Sequence, residues 1–97
     1  MELSINNNQV SVIGYVEGIE DSNSVMDALN SVIENNKGGV ISLILEDAFV
    51  IPSSLIGLLL ETKENYEHKI EILAKNEKLI TLMKRLNLID VLNIKKI

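Results

Sequence analysis

The chain has no cysteine and no tryptophan, and its 97 residues include one proline, one histidine and only three aromatics. Without cysteine, disulfides, thiolate catalysis and cysteine-bound metals are excluded. With only Tyr15, Phe49 and Tyr66 as aromatics, the core must be built from Leu, Ile and Val, and little is left for stacking on bases or sugars. Bases are also few, nine against fourteen acids for a net charge of -5, so no nucleic-acid function rests on a basic face. The longest nearly apolar window, Ala48 to Leu60, is too short to span a bilayer and is broken by Pro52, Ser53 and Ser54. The opening "MELSINNNQ" has no basic region leading into an apolar one, as a signal peptide would. The expectation is a cytoplasmic protein with no membrane insertion.

Enzyme signatures are missing as well. There is no G-x-S-x-G elbow, phosphate-binding glycine loop or H-E-x-x-H motif. His68 stands alone in a charged segment and reads as a surface residue. The carboxylates of "EGIED" (Glu17, Glu20, Asp21) and the pair Glu46 and Asp47 read as solvated loop residues. No enzyme, metal or cofactor is implied.

What is present is a single domain's worth of chain, 46% hydrophobic and 24% charged. Leu3/Ile5 and Val10/Val12 alternate on either side of "NNN", which predicts a β-hairpin. "YVEGIEDSNS" reads as a polar connection, and Ser24 with Asp27 resembles a capping box opening a helix with Val25, Leu29, Val32 and Ile33 on one face. "NNKGG" stops it, with Gly38 or Gly39 suited to a left-handed terminus. "VISLIL" (Val40–Leu45) has the look of a parallel strand buried on both sides, and "EDAFVIP" of a loop. A second helix is predicted from Ser53 or Ser54 to about Tyr66, its first turns apolar nearly all round. "KIEILA" (Lys69–Ala74) is a strand. A third helix from Asn76 carries Leu79, Leu82, Met83 and Leu86, and "VLNIKKI" closes as a strand. The order ββαβαβαβ implies an α/β fold, a mostly parallel sheet with one antiparallel edge strand. Val12, Leu29, Val32, Leu43, Leu59, Ile72, Leu82 and Leu86 are expected to be buried.

The serine pair after Pro52 admits two readings. Serine is a preferred helix N-cap, and proline beside a helix start is ordinary. The same free N–H groups and helix dipole would also stabilise a phosphate carried there. Pro52 fixes the chain just ahead of Ser53, which suits Ser53 as cap and leaves Ser54 as the first helical residue, its hydroxyl free. Leu55 and Ile56 are then expected to be partly exposed, with Glu46 and Asp47 at the edge of the patch. Residues 1–50 carry a net charge of -7 and residues 51–97 a net of +2. The asymmetry reads as a solvated surface or as an acidic face offered to a basic protein.

With these motifs in place, the chain resembles the STAS domain of bacterial anti-anti-sigma factors, a domain also found in sulfate transporters. "VISLILEDAFVIPSSLIGLLL" is similar to that family's strand, D-S-S-G-L-G-like loop and apolar helix, with Pro52 in place of its aspartate and Leu55 in place of its glycine. "NEKLITLMKRLNLIDVLNI" is similar to its later helix and strand, with Asn87 where a glycine would stand. The resemblance spans residues 9–97, and the family's closing helix is missing or vestigial. It implies that Ser54, rather than Ser53, is the phosphate acceptor. It further implies a partner surface of Pro52, Ser53, Leu55, Ile56, Glu46 and Asp47 that binds an anti-sigma factor or serine-kinase-like protein. Partner switching is one implied function; a constitutive, unphosphorylated adaptor in a larger complex, such as a transport complex, is the other. The oligomeric state is left open.

Overall fold

The computed structural model describes residues 1–36, 39–65 and 69–97, and the side chain of residue 65 is not described. Gly38, Tyr66 and His68, each named above, lie outside the described residues.

The described residues form five strands and three helices in the order β1 (Glu2–Asn6), β2 (Gln9–Ile13), α1 (Gly18–Asn35), β3 (Val40–Leu45), α2 (Ser53–Asn65), β4 (Lys69–Ala74), α3 (Glu77–Arg85) and β5 (Ile94–Lys96). The sheet runs in chain order, β1-β2-β3-β4-β5. β1 pairs antiparallel with β2, and the remaining three pairings are parallel. The α/β class and the single antiparallel edge therefore match the pattern of alternation in the sequence. At the hairpin, Asn7 takes φ 55, a conformation that asparagine tolerates better than most residues.

Every crossover steps to the next strand in the same direction, so right-handed connections lay all three helices on one face of the sheet. Burial agrees. Val10, Val12, Ile41, Leu43, Leu45, Ile70, Ile72 and Ala74, alternate residues of β2, β3 and β4, are sealed in one cluster with Val25, Leu29, Leu55, Leu59, Leu79 and Met83 of the helices. Among the described residues the opposite face carries no helix, which corrects the expectation that Val40–Leu45 is buried on both sides. There Val40 is exposed and Ile44 half-buried, while Ser42 is shielded by its hydrogen bond to Glu71 Oε1 (2.9 Å), whose Oε2 meets Lys95 Nζ at 3.4 Å. A parallel strand covered on one side keeps its apolar run because neighbouring side chains, rather than a second layer, shade the other side.

α1 begins six residues before Ser24. Glu17 is its N-cap, and the Glu17 N–H donates to Asp21 Oδ2 (2.8 Å), so "EGIED" is a helix start with its acids at the positive end of the dipole. Ser24 lies inside the helix, donating to the Glu20 carbonyl (3.1 Å). Gly39 holds φ 84 ahead of β3. α3 starts as expected, with Asn76 Oδ1 accepting from the Lys78 N–H at 2.8 Å. Its buried residues are Leu79 and Met83; Leu82 is only half-buried and Leu86 is 48% exposed. For Leu86 the reason is length. Leu86 is the C-cap and Asn87 turns left-handed at φ 57, so the last position of the apolar stripe lies past the helix. β5 is likewise shorter than "VLNIKKI", spanning Ile94–Lys96, with Leu92 buried in the preceding turn.

Candidate functional site

In a sheet of this kind the C-terminal ends of the parallel strands and the helix starts that follow them converge at one end, where α/β proteins place their sites. Three ties join the loops there. The Gly14 N–H after β2 donates to Asp47 Oδ2 (2.7 Å), Lys75 after β4 pairs with Glu46 after β3, and Tyr15 meets Phe49 edge-on at 5.5 Å and 82°. Glu46 and Asp47, expected at the edge of a partner surface, are thus also the struts that hold these loops together.

The β3–α2 loop alternates between core and surface. Ala48 and Ile51 are buried, whereas Phe49 and Val50 are exposed. Tyr15 and Ile19 are exposed as well, and Ile19, at 65%, is the most exposed of the chain's large apolar residues among those described. Apolar surface therefore gathers where α1 and α2 begin, in a chain whose core contains neither Tyr15 nor Phe49.

The serine pair does not divide its roles as the sequence suggested. The Pro52 carbonyl accepts from the N–H groups of Leu55 (3.0 Å) and Ile56 (3.2 Å), so Pro52 holds the capping position through its backbone. Ser53 is then the first helical residue; it is exposed, and its hydroxyl makes no hydrogen bond to the described residues. This corrects its assignment as the cap. Ser54 is half-buried, and its Oγ lies 2.8 Å from Oγ of Ser22 on α1. Ser22 is fully buried and donates to the Gly18 carbonyl at 2.8 Å. A hydroxyl has one hydrogen. With that hydrogen on Gly18, Ser22 accepts from Ser54, so the Ser54 hydroxyl is a bridge between the helices and not a free group.

Leu55 is also corrected. It is fully buried, because it shares a face with Leu59 and Thr62 at i, i+4 and i+7, and all three point into the core. Ile56, beside it, is half-buried as expected of a patch residue. The surface that remains is an open groove between α1 and α2, lined by Ile19, Asn23, Ser53, Ser54, Gly57 and Leu58 and ending at Glu61.

Ser22 and Ile19 escaped the sequence reading because their helix was placed too late in the chain. Tyr15 and Phe49 left a faint trace, as two of only three aromatics set in loops that follow parallel strands. Among the described residues no group of three or more His, Asp or Glu is placed to hold a metal ion, and no helix is long and apolar enough to cross a membrane. Comparison with protein families, curated proteins and solved structures finds no match.

Proposed function

We propose that the chain is a STAS-like regulatory protein that acts by partner switching, with phosphorylation at the start of α2 controlling the binding of an anti-sigma-factor-like or serine-kinase-like protein. The observation that carries this reading is the Ser54–Ser22 bridge at the strand ends, beside the exposed Ile19, Phe49 and Val50. A phosphoryl group on Ser54 replaces the hydrogen that makes the bridge. It adds a charge of about -1.5 to -2 at the seam of two helices. The free N–H groups of the first turn of α2 stabilise that charge, while Glu20 and Asp21 in the first turn of α1 oppose it. The seam must open to admit the group, and an apolar partner surface laid over it would have to bury a dianion.

Two further features support the resemblance. The mixed sheet, parallel but for one antiparallel edge strand, is compatible with it. Asn87, standing where the motif has glycine, adopts φ 57, and the Leu88 N–H reaches back to the Met83 carbonyl at 2.9 Å. Asparagine is the residue that best replaces glycine in such a helix terminus.

The same bridge also serves the adaptor reading. A half-buried serine that ties α1 to α2 has a structural use that requires no kinase. Intact-mass measurement of the protein purified from its own cells, with and without phosphatase, followed by fragmentation, separates the two. A phosphate on Ser54 supports switching. No phosphate under any growth condition, with the same proteins co-purifying with wild type and with Ser54→Asp, means a constitutive adaptor.

A further inference from the structure

The groove between α1 and α2 has properties that go beyond a generic partner surface. α2 presents small residues along its outer side. A Cβ built on Gly57 meets nothing within 4 Å, and Ser53, one turn earlier, is exposed. Small residues one turn apart let another helix axis approach closely, because ridges on the incoming helix find a shallow surface. Ile19 and Leu58 supply the apolar floor and wall.

Charge defines what fits. α1 contains Glu20, Asp21, Asp27 and Glu34 and no base, and α2 contains Glu61 and Glu64 with Lys63 as its one base. Lys63 is two residues from Glu61, hence on a different side of the helix. Glu61 is the one acid among the lining residues; Glu20 and Asp27 are exposed on α1, three residues before and four after Asn23, and so flank the groove wall that Asn23 forms. A trough whose floor is apolar and whose edges, among the described residues, carry acids and no base matches an amphipathic helix whose apolar stripe is flanked by lysine or arginine.

We infer that the α1–α2 groove is a docking site for a basic amphipathic helix of the partner protein. This rests on the reading that this end of the molecule binds a protein, and it adds the chemistry of the bound segment. The mode is helix-in-groove, with apolar anchors over Ile19 and Leu58, close backbone approach over Gly57, and cations facing Glu20, Asp27 and Glu61. Ser54 lines the same groove, so a phosphate there would obstruct the seat directly.

The test uses the full chain, labelled for NMR, and two designed 18-residue helical peptides with the same Leu/Ala stripe, one flanked by lysine and the other by glutamate. The lysine peptide should shift the amide signals of Ile19, Asn23, Ser54, Gly57 and Leu58 and saturate, and the glutamate peptide should not bind. Gly57→Leu fills the groove from an exposed helix position without burying anything new. It should keep or raise the melting temperature and weaken the lysine peptide at least tenfold, and Glu61→Lys should weaken it by several-fold. The inference is overturned if Gly57→Leu binds as wild type, or if the shifts spread evenly over acidic residues such as Glu2 and Glu34. It is also overturned if sedimentation shows that the groove is filled by a second copy of the chain and that Gly57→Leu dissociates the dimer. Failure of the phosphate reading would appear in the mass spectra and leave these titrations untouched.

Discussion

Placing aspartate at Ser53 and at Ser54 should change stability in opposite directions, although the two positions are adjacent. At Ser53 the side chain is exposed and unbonded in the first turn of α2. A carboxylate there interacts with free N–H groups and the helix dipole, a gain of about 0.3–1 kcal/mol at low salt. At Ser54 the same dipole term is present, but the bridge to Ser22 is lost, a cost of about 0.5–1.5 kcal/mol. A carboxylate cannot donate, so its oxygens face the buried Ser22 oxygen unless that hydroxyl abandons Gly18. Leaving a buried polar group badly matched costs a further ~1–3 kcal/mol. The net expectation is a loss of about 1–3 kcal/mol for Ser54→Asp, set against a small gain for Ser53→Asp. In a domain of this size 1 kcal/mol moves the melting temperature by about 4–8 °C, so thermal and urea unfolding resolve the sign. A double-mutant cycle over Ser22→Ala and Ser54→Ala isolates the bridge, with an expected coupling of about 0.5–1.5 kcal/mol. Coupling within ~0.3 kcal/mol of zero, or equal effects of aspartate at both positions, would mean that Ser54 faces solvent and that the bridge is no part of the site.

Leu55→Ala should cost about 2–5 kcal/mol by urea titration, and Leu55→Asp should prevent folding at 25 °C as judged by circular dichroism. Leu43→Ala should cost a similar ~2–5 kcal/mol, since Leu43 is fully buried at the middle of β3 among aliphatic neighbours; a loss well under 1 kcal/mol would contradict the sheet register. Asn76→Ala should cost ~0.5–2 kcal/mol through loss of the cap on α3, whereas Ser53→Ala should stay within about 0.5 kcal/mol of wild type, since Ser53 is exposed and its hydroxyl makes no hydrogen bond to the described residues.

Alternation, helix periodicity and turn chemistry are local properties, and they were enough to place β3, β4 and the start of α3, to separate parallel from antiparallel pairings, and to identify Val12, Leu29, Leu43 and Ile72 as core. The start of α1 was hidden because "EGIEDSNS" has the composition of a loop. Only the Asp21 carboxylate reaching the Glu17 N–H, together with burial of Ser22 against α2, makes it a helix. The roles of the two serines and of Leu55 were beyond local reading for a related reason. Successive residues of a helix lie about 100° apart around its axis, and nothing local says which of them faces the core. In the structure Leu55 faces the core, Ser54 faces Ser22, and Ser53 is left in solvent. That orientation is set by the packing of α2 against α1 and the sheet, contacts between residues some thirty positions apart, which no window of neighbouring residues contains.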